Sequence, residues 1–341
     1  MAEIAIVILN WNTRELLEQF IPLVLKYSPA NQTEVWIADN ASNDGSVQFV
    51  KSKFPAVKII ELDKNYGFTG GYNRALSQVN SKYFVLLNTD VEVTENWLGP
   101  MYQWMEKNQG TAACTPKIHS WYERNKFEYA GAAGGFIDYL GYPFCQGRIF
   151  DKLEEDLGQY DSDREIFWAT GACMMVRSSV YNELGGLDEL FFAHMEEIDL
   201  CWRMKRLAYS IHYCPQSIIY HQGGGTLPKS NPHKTFLNFR NNLLLLYKNL
   251  PPGKLFSIFA ARLILDGISG LRFFSQGKWA DGTAVIKAHF AFYRLIAKYR
   301  PYRRQQDWKN SKTNFPEVFH GSIVYQHFIR KIARFTDLKW K

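Results

Sequence analysis

The first part of the chain alternates short apolar runs with segments of helical periodicity. The runs are shorter than a typical helix, and the first is rich in β-branched residues, which is characteristic of a strand buried on both faces of a parallel sheet. The runs cover residues 4–9, 35–38, 57–60 and 83–87, and helical patterns cover residues 13–27 and 68–79. Strands that alternate with helices predict a doubly wound α/β sheet.

Polar residues follow the predicted strands at the points where the strands end. They are Asn10, Asn12, Asp39, Asn65 and Asp90. In open α/β sheets, ligands bind outside the carboxyl ends of the strands. The pattern therefore predicts that these side chains line one binding edge of the sheet.

Acidic and basic residues are divided unequally along the chain. Residues 1–228 contain 19 Lys and Arg against 28 Asp and Glu, whereas residues 229–341 contain 21 against 5. This difference predicts a catalytic domain over residues 1–228 and a basic helical region with different partners over residues 229–341. A basic region can face anionic lipid or nucleic acid. Because no recognition motif accompanies the charge, we expect no nucleic-acid partner.

The basic region contains segments with helical patterns at residues 237–249, 254–274 and 283–298. In the second segment, Lys254, Arg262 and Asp266 share one narrow stripe, and apolar residues cover the rest of the helix. A basic amphipathic helix can lie in a membrane interface. It can equally form a helical cap on the catalytic domain, and the sequence leaves both alternatives open.

The sequence shows neither a signal peptide nor a membrane-spanning segment. The first apolar run lacks a basic start and stops at Asn10, and no stretch provides the roughly 20 apolar residues that a spanning helix needs. The 5 cysteines form no CxxC pair, so we expect buried thiols in a reducing compartment. These features predict a cytoplasmic protein, either free or peripheral on the cytoplasmic face of the membrane.

The predicted strand over residues 83–87 is followed by two acids, Asp90 and Glu92. Carboxylates suit Mg²⁺ and Mn²⁺, and such an ion can stabilise a departing diphosphate as a Lewis acid. A strand that ends in Asp is also common where the Asp caps a helix. This segment alone therefore leaves a metal site and a structural cap open.

Glycines are concentrated in residues 63–73, at a strand-to-helix junction. They would let backbone N–H groups approach a phosphate at the helix N-terminus. The segment is neither a P-loop nor a GxGxxG fingerprint. Taken alone, it favours a structural turn.

Three acids, Glu196, Glu197 and Asp199, follow an aromatic pair at the start of a predicted helix over residues 193–207. One acid in a first helical turn favours the helix dipole, but three exceed what a cap needs. A carboxylate here can act as the general base for a sugar hydroxyl. His221 follows a later strand and precedes glycines, which makes it a candidate metal ligand.

Taken together, these segments resemble glycosyltransferase family 2 with the GT-A fold, and within it the rhamnosyltransferase-like branch. The matching segments occur in family order and cover about residues 4–225; they are residues 7–12, 39–46, 65–73, 88–90 and 170–188, the acidic helix and His221. The resemblance implies a Rossmann-like doubly wound mixed sheet, a nucleotide-sugar donor and a divalent metal, Mn²⁺ or Mg²⁺.

The resemblance also implies roles for the matching residues. The donor site would comprise Asn10, Asn12, Asp39, Asn65, Gly71, Asn73 and Asn88, with Asp39 holding the base or ribose. Asn88 stands where the family commonly has the first acid of an Asp-x-Asp pair, and its carbonyl can still ligate at lower charge. The metal ligands would be Asp90, Glu92 and His221. The base would be Glu197, with Glu196 or Asp199 as substitutes because the family more often has Asp at this position.

These features predict an inverting transferase that moves a hexose or deoxyhexose from a UDP- or dTDP-linked donor to a saccharide hydroxyl. We expect the acceptor to be lipid-linked and the anionic membrane surface to be a partner, because the helical tail is basic. One alternative is a sugar nucleotidyltransferase, although residues 10–14 lack the glycine-rich loop typical of that class. The other is a non-catalytic scaffold of a glycan assembly complex.

Overall fold

The computed structural model describes residues 2–223 and 231–340. In chain order, the strands are β1 (Ile4–Asn10), β2 (Thr33–Asp39), β3 (Lys58–Glu61), β4 (Tyr83–Leu87), β5 (Val91–Val93), β6 (Thr111–Ser120), β7 (Gly135–Asp138), β8 (Pro143–Cys145), β9 (Arg148–Ile149), β10 (Lys152–Leu153), β11 (Arg164–Ile166), β12 (Cys173–Arg177), β13 (Ser210–His221) and β14 (Val318–Phe319).

The helices are α1 (Arg14–Tyr27), α2 (Ser46–Lys53), α3 (Gly67–Leu76), α4 (Gly99–Lys107), α5 (Ser178–Glu183), α6 (Glu196–Arg206), α7 (Pro232–Asn249), α8 (Pro252–Ser275), α9 (Trp279–Gln305) and α10 (Ile323–Phe328). A single 3-10 turn follows at Phe335–Asp337. Proline at the first position of α7 and of α8 suits a helix start, because the N–H that proline lacks has no partner there.

The centre of the molecule is a nine-stranded mixed sheet in the order β11-β13-β6-β12-β4-β1-β2-β3, with β5 paired to β13. Strands β3, β2, β1 and β4 are parallel, and β12 runs antiparallel to both β4 and β6. Strand β13 is parallel to β6. Therefore β1, β2, β4 and β13 all end at the same side of the sheet, which we call the carboxyl edge.

Both faces of this sheet are covered, as the continuous apolar strands predicted. Ala5 and Val7 of β1 belong to one hydrophobic cluster, whereas Ile6 and Ile8 belong to the other. The alternation follows the two-residue period of a strand, so a buried strand needs apolar residues at every position.

The region that follows β6 carries few periodic signals in the sequence. Strands β7, β8, β9 and β10 form a five-stranded second sheet with β14, in the order β10-β9-β8-β7-β14. The apolar residues between 166 and 181 do not form one strand: Ile166 ends β11, Cys173–Arg177 is β12, and helix α5 follows directly. The apolar pattern extends past the strand because α5 also buries Val180 and Tyr181.

The C-terminal helices share the core of the main sheet. Leu244 of α7, Phe292 of α9 and Phe335 lie in the same cluster as Ala5 and Val7. The described residues 231–340 therefore pack as a cap on the rest of the chain, and the expected boundary at residue 228 lies outside the described residues. No described helix is both long enough and apolar enough to cross a membrane.

The sulfur chemistry agrees with the expectation of buried thiols. All the cysteines, at positions 114, 145, 173, 201 and 214, are buried and unpaired. Burial raises the pKa of the Cys145 thiol, which keeps it protonated and apolar.

Candidate active site

Asn10 and Asp39 meet at the carboxyl edge, where β1 and β2 end in register. The Asn10 amide donates to Asp39 Oδ1 at 2.7 Å and to Ser42 Oγ at 3.0 Å. Asp39 Oδ2 accepts the backbone N–H of Ser42 at 2.9 Å. Both Asn10 and Asp39 are buried, so these bonds orient a carboxylate and an amide beside the loop that follows β2.

Asn12 lies in the adjacent turn with a left-handed backbone, at φ 54°. Its side-chain oxygen accepts the backbone N–H of Asn43 at 2.8 Å, and its own N–H donates to Ser42 Oγ at 2.9 Å. Asn tolerates this conformation better than most residues. The loops after β1 and β2 are thus joined into one wall.

Asn65 and Gly71 form the second wall, at the start of α3. Asn65 Oδ1 accepts the N–H of Gly67 at 2.8 Å and an N–H of Asn40 at 3.0 Å. A Cβ on Gly71 would lie 2.8 Å from Leu9 and 3.1 Å from the Asn40 amide. Glycine is therefore required for α3 to pack closely against β1, which gives Gly71 a packing role in addition to any role in ligand binding.

Asn73 has a different environment from the other predicted donor residues. Its amide donates to the Leu187 carbonyl at 2.7 Å, and its oxygen accepts from Tyr181 and from the Leu187 N–H. Both ends of the amide are thus committed to the protein. Asn73 ties α3 to the segment that precedes the acidic helix, and its direct contact with the donor stays a prediction.

Asp90 and His221 lie together at the carboxyl edge. The distance from Asp90 Oδ1 to His221 Nε2 is 3.1 Å, and both residues are buried. On the other side of the ring, His221 Nδ1 lies 3.1 Å from Glu128 Oε2. Burial would lower the pKa of His221, but the two carboxylates outweigh burial and raise it to about 10. A positive charge is thus stabilised between Asp90 and Glu128.

This group suits a divalent cation. Two ligand atoms at about 2.1 Å from an octahedral ion and at right angles to each other are separated by about 3 Å, which matches the separation of Asp90 Oδ1 and His221 Nε2. Carboxylate oxygen with imidazole nitrogen is a donor set that Mn²⁺ accepts. Glu128 would then orient the imidazole from behind, as second carboxylates do in many metal sites.

Glu92 does not join this pair, which corrects the expectation that it is a metal ligand. Its two carboxylate oxygens accept from Arg124 at 3.0 and 2.8 Å, and Trp121 Nε1 donates to it at 2.8 Å. These donors neutralise the carboxylate and hold it against Arg124. Asn88 lies just past β4, where its backbone N–H donates to the Ala172 carbonyl at 3.0 Å.

The backbone before the acidic helix is strained. Phe192, His194 and Met195 all have positive φ, at 66°, 69° and 73°, which is costly for residues with a Cβ. Asn241 of α7 stabilises this segment: its amide donates to the carbonyls of Phe191, Ala193 and His194 at 3.0, 2.7 and 2.8 Å. A residue of the C-terminal region therefore determines where α6 begins.

The three acids of α6 have distinct environments. Asp199 is fully buried and accepts from Arg203, Lys248 and Asn249, each at 2.8 Å. Burial opposes its ionisation, but Lys248 and Arg203 lower its pKa overall. Asp199 is thus a structural ion-pair partner, and the expectation that it could substitute as the base is wrong, because every donor around it would have to be displaced.

Glu196 and Glu197 each have one buried carboxylate oxygen without a hydrogen-bond partner among the described residues. Burial raises the pKa of Glu197 to about 7. Burial also raises the pKa of Glu196, and the neighbouring Glu197 adds to the shift. Glu196 is almost inaccessible, at 4% exposure, whereas Glu197 is half-buried. Glu197 is therefore the better placed of the two to meet a ligand.

A chain of contacts connects α6 with the segment that contains Asp90. Cys201, one turn beyond Glu197, accepts the N–H of Ala169 through its sulfur at 3.4 Å. Ala169 belongs to the segment that leads into β12, and Ala172 of the same segment bonds Asn88. The start of β12 pairs with the end of β4, at the carboxyl edge. Glu197 is linked to this edge through these contacts, and Asp90 lies just past β4.

Sequence reasoning missed Glu128 and Asn241. Glu128 lies in residues 120–165, where no periodic pattern was readable, and Asn241 lies in the middle of an amphipathic helix. An amide residue such as Asn241 within a leucine-rich segment was the one available signal. It indicates a polar side chain that needs hydrogen-bond partners if the helix is buried.

Asp163, His212 and Cys214 form another group whose potential ligand atoms lie within 4.8 Å of one another. His212 and Cys214 lie in the first half of β13, whereas His221 is its last residue. His212 is stacked on Trp104, with ring centroids 3.5 Å apart. This group is separate from the one at the carboxyl edge.

Comparison with known proteins gives a consistent result. The model of the family described as glycosyl transferase family 2 matches residues 5–185. An N-acetylglucosaminyl-diphospho-decaprenol L-rhamnosyltransferase of Mycobacterium tuberculosis is 24% identical over 220 residues, which are 60% of this chain and 71% of the relative. The low-salt glycan biosynthesis hexosyltransferase Agl10 of Haloferax volcanii is 24% identical over 250 residues, 71% of this chain and 75% of the relative.

A solved structure extends the likeness to most of the chain. The mannosyltransferase PcManGT of Pyrobaculum calidifontis, in complex with GDP-Man and Mn²⁺, aligns with 89% of this chain and 82% of its own, at a TM-score of 0.52 and 14% identity. At this identity the likeness concerns the fold, and it confirms the predicted GT-A architecture.

Proposed function

This chain belongs to glycosyl transferase family 2, and from that premise we propose that it transfers a hexose or deoxyhexose from a nucleotide-diphosphate sugar with inversion. The observation that carries the proposal is the group formed by Asp90, His221 and Glu128 at the carboxyl edge. Asn10 and Asp39, the last residues of β1 and β2, lie at the same edge. In sheets of this kind, ligands bind at that edge.

The nucleotide would bind at the wall formed by Asn10, Asn12 and Asp39. Asp39 would accept a hydrogen bond from the base or the ribose. Asn10 would hold the Asp39 carboxylate in place through the 2.7 Å hydrogen bond that it donates to this carboxylate. Asn65 and the glycines at the start of α3 would face the diphosphate, since the N-terminus of a helix attracts anions. Asn73 would hold α3 against residue 187.

Asp90 and His221 would hold the divalent metal, with Glu128 orienting the imidazole. When bound, the ion would supply Lewis-acid stabilisation of the diphosphate leaving group. Mn²⁺ in the PcManGT complex supports this choice. We propose Mn²⁺ or Mg²⁺, since the Asp90 carboxylate suits both ions and the His221 imidazole favours the first-row ion Mn²⁺.

Glu197 would take the proton from the acceptor hydroxyl. A base with a pKa near 7 is ionised at working pH and still strong enough to accept a proton, and burial sets this value for Glu197. Its unpartnered oxygen leaves a position for a hydroxyl donor. Attack from the side opposite the diphosphate would invert the anomeric centre, as it does at inverting glycoside hydrolases.

The name of the mycobacterial relative supports deoxyhexose transfer and a lipid-linked saccharide acceptor, whereas the UDP- or dTDP-linked donor stays a prediction. We propose the same classes for this chain. The family is one of transferases, which argues against a sugar nucleotidyltransferase and against a non-catalytic scaffold. Residues 1–228 would provide the catalytic groups and residues 229–341 a cap that positions them through Asn241.

Release of nucleoside diphosphate from a panel of nucleotide sugars with Mn²⁺ tests the transfer reaction. Asp90→Ala should lose metal-stimulated nucleotide binding, and Glu197→Ala should keep binding and lose transfer. Glu183→Ala, an exposed acid of α5, is the matched control. Donor affinity of Asp90→Ala that still rises with Mn²⁺, or normal transfer by Glu197→Ala, would contradict the assigned roles.

A further inference from the structure

Helix α8 is oriented with its polar stripe toward the protein. Arg262 and Asp266 are 2% and 0% exposed. Arg262 bonds Asp266 at 3.2 Å, and Asp266 also accepts from His289 of α9 and Tyr142 at 3.1 and 3.2 Å. Arg262 and Asp266 therefore lie on the buried side of the helix, whereas Lys254 of the same stripe is exposed.

The opposite side of α8 exposes large apolar side chains. Phe256 is 87% exposed, and Leu263, Ile264, Ile268 and Leu271 are 56 to 69% exposed. Their spacing places them on one stripe of the helix. Arg262 and Asp266 are buried under α8 while these apolar side chains are exposed, and Lys254 and Arg272 of the same helix are exposed too. The middle of α8 is thus the reverse of an ordinary surface helix.

Helix α9 continues this surface. Trp279, Ile286, Phe290 and Tyr293 are 49 to 68% exposed. Between the helices lies an apolar cleft of about 230 Å³, lined by Leu263, Val285, Ile286, Phe290 and neighbouring residues. We call the exposed apolar side chains of α8 and α9 the apolar face. Contiguous exposed apolar surface of this kind marks an interaction site.

The surroundings of the apolar face are basic. Residues 252–305 contain ten Lys and Arg against two acids. One acid, Asp266, is buried, and the other, Asp281, accepts from Thr235 at 2.5 Å. Exposed Lys287, Arg294 and Lys298 share one side of α9, next to the apolar stripe.

We propose that α8 and α9 lie in the interface of an anionic lipid bilayer, with the apolar face inserted among the acyl chains and the basic residues on the headgroups. Charge decides between the two kinds of partner that an apolar surface suits. A second copy would bring two basic rims together, and like charges repel, whereas anionic headgroups attract them. Helices that cannot span the bilayer can lie along its surface.

This inference does not depend on the transfer reaction, since it uses neither Asp90 nor Glu197. Its test is co-sedimentation of the full chain with vesicles of phosphatidylcholine and phosphatidylglycerol, compared with phosphatidylcholine alone. One variant replaces Leu263, Ile264, Ile268 and Phe290 with Ser. A second replaces Lys287, Arg294 and Lys298 with Glu. The control, Leu157→Ser, removes an apolar side chain that is 82% exposed outside both helices.

We expect the wild type and the Leu157→Ser control to bind the anionic vesicles, less at high salt. The serine variant should bind at least tenfold more weakly, because it removes apolar surface that insertion would bury. The glutamate variant should lose the preference for anionic lipid. Nucleotide binding should be unchanged in both, which separates this test from that of the proposed function.

Two results would overturn the proposal. One is wild-type protein that stays in the supernatant with anionic vesicles, or a serine variant that sediments as well as the wild type. The other is a wild-type dimer in sedimentation equilibrium that the serine replacements dissociate, without vesicle binding. A thermal-unfolding curve like that of the wild type would establish that the variants are folded.

Discussion

The Nδ1 atom of His221 lies 3.1 Å from Oε2 of Glu128, which places a carboxylate on the side of the ring away from Asp90. His221 ends the long strand β13, and Glu128 comes from a loop between β6 and β7. Because the two residues are far apart in sequence and both are buried, their contact is specific to the folded chain. It explains how one imidazole can be fixed for a ligand on its Nε2 side.

We expect Glu128→Gln to weaken Mn²⁺ affinity about 10–100-fold, because a carboxylate behind a ligating histidine orients the ring and raises its basicity. Isothermal titration of Mn²⁺ in the presence of a nucleoside diphosphate measures the change. Glu123→Gln, which removes an exposed acid paired with Lys126, is the control. Equal Mn²⁺ affinity in both variants would show that Glu128 has no part in the metal site.

Transfer by the wild type should increase with pH around a midpoint of about 7, where Glu197 loses its proton. The rate should then level off as the carboxylate becomes fully ionised. Steady-state rates at saturating donor and metal measure the profile. Glu197→Gln should abolish it while nucleotide binding persists, and a midpoint unchanged in Glu197→Asp would assign the titration to another group.

The free energy of unfolding should also depend on the protonation of Glu197. Since the folded pKa of Glu197 is raised above 4.5, its contribution to stability is fully present below about pH 4.5 and is lost as the pH rises through about 7. Glu197→Gln remains neutral, so its Tm should exceed that of the wild type by roughly 2–4 °C at about pH 8 and match it at about pH 4. Glu183→Gln should show no such pH-dependent difference.

Asn241→Ala should reduce kcat more than it reduces nucleotide affinity. The amide restrains the strained segment at Phe192, His194 and Met195, and its loss leaves three carbonyls without this donor. We expect a stability loss of about 1–3 kcal/mol from the unpaired groups. Urea unfolding and steady-state kinetics measure the two effects, with the exposed Asn310→Ala as control. An unchanged kcat would restrict Asn241 to a purely structural role.

Arg262→Ala should destabilise the chain by about 3–5 kcal/mol, because it leaves Asp266 buried without its main partner. The double variant Arg262→Met with Asp266→Leu should recover much of that loss, since both charges are removed together. Urea unfolding measures the double-mutant cycle, and the exposed Arg300→Ala serves as control. A double variant less stable than Arg262→Ala would contradict this account of the buried pair.

The carboxyl edge was predictable because its cause is local. Strands of parallel orientation end on the same side of a sheet, so the positions of Asn10, Asp39 and Asp90 after their strands were enough to bring them to one edge. The environment of Glu92 could not be predicted from sequence. Arg124 and Trp121 bond its carboxylate, and both approach from a loop that carries no periodic signal.

Sequence alone determined the α/β class, the binding edge and the acidic helix, because two-residue and 3.6-residue periods and strand ends are properties of short segments. Tertiary structure decided which acids are available: Asp199 is neutralised by Lys248 from a distant helix, whereas Glu197 keeps an unpartnered oxygen. It also decided that α8 turns Arg262 and Asp266 inward. Both outcomes depend on contacts between segments far apart in the chain, and burial at such contacts sets the charge state and exposure of each side chain.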